Sequence, residues 1–232
     1  MSPEPELDIR QIYDRFDLPV TSLDCGTQCA PHNPSGKPFC CDICHAVPAA
    51  FHQEWEYLQQ HTNLWHAWRG DECLTDTTDP DELRTDTPAH MLLLACLGPA
   101  HCQRPYRAVS CRQFPFFPYI TGDYRFIGLS YDWTFEQQCW VIGNLDQVTQ
   151  AYRLEFVALY DQLFFNVPGE MDGYTSYSED MRQHFSSQRR RIPLLHRNGR
   201  FYLISPASER LRRAGVSNIE GVEKRQWVEP TG

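Results

Sequence analysis

The stretch FCCDIC at residues 39–44 places Cys40, Cys41 and Cys44 within five positions. This crowding constrains the chain more than any other feature, because a segment that needed only small apolar side chains has no use for three thiols so close together. The cysteines are bunched. Cys25, Cys29, Cys40, Cys41 and Cys44 form one run, Cys96, Cys102 and Cys111 form a second, and Cys73 and Cys139 stand apart. The N-terminus, MSPEPELDIR, is acidic and has no apolar stretch, so it does not read as a secretory signal. A reducing, cytoplasmic setting is therefore expected, where clustered cysteines read as metal ligands before they read as disulfides.

Other classes are disfavoured. A net charge of −9 argues against nucleic acid as a partner of the whole molecule. No segment approaches the ~20 consecutive apolar residues that a membrane span requires. No two glycines are spaced G-x-G, and there is no P-loop, H-E-x-x-H or G-x-S-x-G motif.

The hydrophobic period changes often, which predicts an α+β chain with irregular cysteine-rich loops organised by metal on a few helices. A short amphipathic helix is expected near 7–16, and a ligand-fixed irregular segment over 24–48. A longer helix is expected over 48–69, where Phe51, Trp55, Leu58, Trp65 and Trp68 recur at helical spacing. Residues 71–89 read as an acidic surface loop. FFPYITGDYRFIGLSY (116–131) reads as two strands around a turn. Asn144, with Gln147 three residues on, predicts the start of a helix that VPG at 167–169 ends. Residues 169–181 read as a mobile polar connection. IPLLHRNGRFYLIS (192–205) reads as a hairpin in which Asn-Gly supplies both positive φ angles of a two-residue turn, followed by a short helix after Ser205-Pro206. The expected organisation is a cysteine-cluster metal-binding domain over 1–168 and an arginine-rich hairpin and helix appendage over 169–232.

Within the cysteine runs, Cys41 and Cys44 alone have the two-residue gap of a zinc knuckle. Adjacent side chains diverge, so Cys40 and Cys41 suit neighbouring sites, or one ligand and one supporting thiol. Cys73, in the acidic loop, reads as a small buried hydrophobe. Arg104, Arg107 and Arg112 lie in the second run and are placed to offset thiolate charge, while FPFFPY (114–119) is available as a dry wall. His32, His45, His90 and His101 adjoin the cysteines as further candidate ligands, whereas His61 and His66 read as packing residues.

The segments CGTQC (25–29), FCC (39–41), CLGPAHC (96–102), CRQFPF (111–116) and CWVIG (139–143) together resemble the YkgJ-like cysteine-cluster family, described as zinc- or iron-chelating proteins. The resemblance spans roughly 24–143, and its most specific part is the C-R-x-F-P segment. It departs from the family in the ten residues between Cys29 and Cys40, in Ala108 after Arg107, and in Trp140 after Cys139. It implies metal ligation by Cys25, Cys29, Cys40, Cys41, Cys96, Cys102, Cys111 and Cys139, with Cys44 able to replace one of them. The implied cofactor is an iron–sulfur cluster (4Fe-4S) or zinc; scattered loops favour the former, because zinc sites more often show paired knuckles. Two four-cysteine sites, or one cluster with a zinc, both suit eight ligands.

The motif is also distantly similar to that of flagellin lysine N-methylases, so an enzyme that methylates protein lysine with S-adenosylmethionine is an alternative. A third reading is a structural zinc module with an interaction surface. Residues 182–213 carry nine arginines and one glutamate, a net +8 that leaves −17 on the rest of the chain. An acidic protein or a phosphate-bearing partner is therefore expected at Arg189–Arg213, and no membrane partner.

Overall fold

The computed structural model describes residues 7–73 and 79–215, and the architecture is α+β. The chain forms two compact units, Met1–Asp17 with Gly26–Arg112, and Leu18–Cys25 with Gln113–Gly232. The boundary expected at 168–169 is not where the chain divides. A five-stranded sheet takes strands from both sides of it.

In the first unit, helix α1 (Ile9–Arg15) is capped by Asp8, whose carboxylate accepts the Gln11 N–H at 2.9 Å. It buries Ile12 and Tyr13, with Leu7 and Phe16 beside it, as the 7–16 pattern predicts, and Ile9 in addition. One helical turn, α2 (Gly26–Cys29), begins the cysteine region. The helix expected over 48–69 is instead a strand, a helix and a strand: β1 (Ala49–Phe51), α3 (His52–His61) and β2 (Trp65–Ala67). The apolar run that becomes β3 (Met91–Cys96) supplies the reason. It offers two sets of backbone groups, taken by β1 against Met91–Leu93 and by β2 against Leu94–Cys96, both antiparallel. Pairing satisfies those groups, and Trp65 gains a hydrogen bond from its indole N–H to the Tyr106 carbonyl at 2.8 Å. The acidic loop holds a short helix, α4 (Pro80–Asp86), capped by Asp79 with proline at its first position. Helix α5 (Val109–Gln113) ends the unit and carries Cys111.

In the second unit, β4 (Phe116–Ile120) and β5 (Phe126–Tyr131) form the expected hairpin. A short α6 (Trp140–Gly143) precedes the long α7 (Gln150–Asn166). Thr149 caps α7 by accepting the Tyr152 N–H at 3.2 Å, whereas Asn144 donates back to the Trp140 carbonyl at 2.8 Å. The helix start therefore lies later than the Asn144 box suggests, because Val148 is held extended by a bridge to Thr21.

Residues 169–181 are helical, part of α8 (Pro168–Ser187). Its buried stripe runs Glu170, Ser178, Met181, Arg182, Phe185, with spacings that fit one helix face but with three polar members. Strands β6 (Ile192–His196), β7 (Phe201–Ile204) and β8 (Leu211–Arg213) complete the sheet in the order β4-β5-β6-β7-β8. In the β6–β7 turn only Gly199 has a positive φ, +83°, and the Asn198 side chain accepts the Arg200 N–H instead. The turn is thus the longer kind with one left-handed glycine. The helix expected after Ser205-Pro206 is a turn leading into β8, which pairs with β7.

Candidate metal centre

The segment holding Cys41 is built on Asp42. Its carboxylate accepts from the Asn33 side chain (3.0 Å), the Ser35 hydroxyl (2.7 Å) and the Cys44 N–H (3.2 Å). Burial works against the Asp42 charge, but these donors prevail and hold its pKa below the ordinary value. Pro38 opens a 3₁₀ turn over Phe39–Cys41 that buries Phe39 and sets the Cys40 and Cys41 sulfurs 4.0 Å apart.

The second cysteine run leaves the end of β3. Cys96 pairs with Trp65, and Gly98 turns the chain with φ +94°, a conformation open to glycine at little cost. Two 3₁₀ turns, Pro99–His101 and Arg104–Tyr106, then bring Cys102 and Arg107 round to α5.

These elements gather four thiols from two distant segments. Burial raises the Cys96 pKa; Cys41 and Cys102 add to this. Burial also pushes the Cys111 thiol up strongly. Cys41 and Cys96 raise it further, and Arg107 opposes them. Arg107 Nε donates to Cys102 Sγ at 3.1 Å, and burial of its charge is outweighed by Cys102, Cys41 and Cys111. Cys102, Cys41 and Cys111 thus act on one guanidinium, and Cys96 lies within electrostatic reach of all three thiols. Among the described residues no group of three or more His, Cys, Asp or Glu side chains is placed to hold a metal ion.

Arg104 and Arg112 do something different from Arg107. Arg112 is almost fully buried and donates to four carbonyls, those of Arg107 (2.9 Å), Tyr13 (3.1 Å), Phe16 (2.6 Å) and Pro105 (2.7 Å). It lies 4.1 Å from the Tyr13 ring centre. Arg104 donates to the Asp17 carbonyl at 3.0 Å. Glu54 of α3, wholly buried, accepts from the Tyr13 hydroxyl and the Val109 N–H, each at 2.7 Å. It thereby anchors the start of the helix that carries Cys111. Burial raises the Glu54 pKa, against the pull of those donors and Arg112. Sequence reasoning missed Glu54. The signal is a carboxylate inside the Phe51–Glu54–Leu58 buried stripe, where a charge has no place without partners.

No family model matches the chain, and no curated protein and no solved structure matches it.

The remaining cysteines divide. Cys44 and Cys73 form a disulfide, so Cys44, expected as a candidate ligand, has no thiolate to offer in this state. Cys73 is a bonded partner instead of a buried hydrophobe. The eight cysteines outside this pair are the eight that the family resemblance singles out. Cys29 is buried in the first unit, with its thiol 3.7 Å from the Gly26 carbonyl. Cys25 and Cys139 belong to the second unit, Cys25 close enough to Tyr152 to raise its pKa after burial has done so. FPFFPY is spent in the second unit, where Phe116, Phe117 and Tyr119 are buried in β4. His45 and His90 contact the rings of Phe39 and Phe51.

The arginine-rich segment also divides. Arg182 pairs with Glu179 and Glu209, Arg190 with Glu136, and Arg197 with Asp161. Arg200 and Arg213 instead approach the Tyr202 hydroxyl, to which Asn198 donates at 3.1 Å. That donation, ahead of both arginines, lowers the Tyr202 pKa. Among the described residues no helix is long and apolar enough to cross a membrane.

Proposed function

We propose that the first unit is a thiolate-ligated metal centre in which Cys41, Cys96, Cys102 and Cys111 hold one iron–sulfur cluster or one zinc ion. The observation that carries this reading is the guanidinium of Arg107, set 3.1 Å from Cys102 Sγ and within electrostatic reach of Cys41 and Cys111. A neutral thiol gains little from such a neighbour, whereas metal-bound thiolates carry excess negative charge that a fixed cation offsets. The donor set fits, since four sulfurs suit both a zinc ion and a cluster. The bound group would supply a soft cation that ties the 39–44 loop to the 96–111 run. The resemblance of the cysteine pattern to a metal-chelating family supports the same reading.

The chain's own residues do the rest. Asp42 fixes the Cys41 turn, Glu54 anchors the helix of Cys111, and Arg112 gathers the carbonyls beside Arg107. Metal and labile-sulfide analysis of protein purified without oxygen tests the reading. Sulfide with iron marks a cluster, and zinc at one equivalent marks the simple ion. Cys111→Ser and Cys41→Ser should each lower the content. Metal below one-tenth of an equivalent in the wild type would end the proposal.

A partner with acidic or phosphate chemistry is proposed at Arg200, Tyr202 and Arg213 of the second unit, because these arginines have no carboxylate partner among the described residues whereas Arg182, Arg190 and Arg197 do. Inorganic phosphate binding by the full chain, lost in Arg200→Ala with Arg213→Ala, tests it.

A further inference from the structure

The Cys44–Cys73 disulfide joins two polar loops across 29 residues of chain. Each loop is held by its own hydrogen bonds. Asp42 accepts the Cys44 N–H on one side, and on the other Glu72 accepts the N–H groups of Arg69 and Gly70, both at 2.8 Å. Both cysteines are half-buried, so a small thiol reaches the bond without unfolding the unit. Cys44 also lies three residues after Cys41, the spacing by which one short turn gives two sulfurs to one metal. The bond to Cys73 therefore takes out of use the thiol best spaced to join Cys41.

We propose that the Cys44–Cys73 disulfide is a thiol-exchange site that sets the metal affinity of the neighbouring centre. The inference rests on the reading that Cys41, Cys96, Cys102 and Cys111 hold the metal. The reductant is a dithiol. One of its thiolates attacks a disulfide sulfur and forms a mixed disulfide as the other cysteine sulfur leaves. The second thiol then closes the reductant into its own disulfide. Two electrons pass to the protein, and Cys44 and Cys73 each take up a proton to become thiols. Metal displaces the proton of Cys44, which enters the ligand set beside Cys41. The oxidised protein binds with four available thiols, the reduced protein with five, and the added one is the chelating neighbour.

The experiment uses the full chain, free of oxygen, with Zn²⁺ titrated against a competing chelator. Wild-type protein is compared as isolated and after reduction by dithiothreitol followed by desalting. Eight free thiols are expected before reduction, and ten after it. Reduction should tighten Zn²⁺ binding by about tenfold or more, the scale on which changes around metal ligands act. Cys73→Ser should bind like the reduced wild type with or without dithiothreitol, and Cys44→Ser should stay at the oxidised affinity.

Ten free thiols before reduction, or equal affinity in the two wild-type states, would overturn the inference and leave the metal centre standing. Tight binding by Cys44→Ser would also overturn it, by assigning the effect to loop release in place of the Cys44 thiol. No Zn²⁺ and no cluster bound in any form would instead remove the metal centre itself.

Discussion

Arg112 offers the sharpest test of how the first unit is built. Its side chain is 6% exposed and donates to four main-chain carbonyls, with Asp17 3.3 Å away as the ion-pair partner. Arg112→Met removes the cost of burying a charge, which by itself is stabilising. It also strands four acceptors at about 1–3 kcal/mol each, a total of at least about 4 kcal/mol against a whole-domain stability of roughly 5–15 kcal/mol. The carbonyl term wins. Arg112→Lys separates the two effects, because the charge and its burial cost remain while the planar fork is lost.

A compact ammonium reaches about two of the four carbonyls, so a loss of about 2–4 kcal/mol is expected. For a unit of this size that is a fall in midpoint temperature of roughly 10–25 °C. Urea unfolding of the metal-free reduced chain measures it, and hydrogen exchange assigns it to residues 13–17 and 104–112. A lysine variant within about 0.5 kcal/mol of wild type would refute the carbonyl-gathering role, since surface-like substitutions lie in that range.

Gly128 lies in β5 with φ +151°, and an added Cβ would fall 2.4 Å from the Leu195 carbonyl oxygen. Gly128→Ala should therefore part β5 from β6 and cost about 2 kcal/mol or more, read by chemical unfolding. His196 has its pKa lowered below about 6.5 by burial first, with Arg197 and Arg153 adding to it. The unfolded chain then binds the proton more readily, so its contribution to stability is complete above pH 6.5 and lost as pH falls towards the lower folded value; His196→Gln should flatten that slope in unfolding curves. Residues 24–47 hold few buried apolar side chains beyond Cys29, Phe39 and the Asp42 network. Metal removal should therefore speed hydrogen exchange there and over 96–111 while leaving α7 and the β6–β7 hairpin protected; equal protection with and without metal would mean that the loops order themselves.

Helix α1 and the β4–β5 and β6–β7 hairpins were readable because each announces itself locally, through an amphipathic apolar spacing, a change of period, or a turn glycine. Helix α8 was hidden because three members of its buried stripe are Glu170, Ser178 and Arg182, and apolar periodicity does not register a polar residue that is buried with a partner. The tryptophan spacing over 48–69 misled for the opposite reason. Aromatic residues from two strands and a helix fell into a helical period, and the backbone demand of β3 decided the outcome. The two cysteine runs were visible as candidates. Which sulfurs lie near each other was not, because Cys41 comes within electrostatic reach of Cys96 and Cys111 only through tertiary folding.

The arginines make the division of labour explicit. A guanidinium is charged at every physiological pH, so a buried one must end on acceptors, and the kind of acceptor states its purpose. Arg112 ends on carbonyls and holds backbone together. Arg182, Arg190 and Arg197 end on carboxylates and neutralise the molecule's own acid. Arg107 ends on a sulfur, a weak acceptor when protonated and a strong one as thiolate. Arg107 is set beside a thiol, whose negative charge depends on the loss of its proton. Under the proposed reading, a cation set beside a thiol in advance is what separates a thiolate-ligated metal site from four cysteines that happen to be near one another.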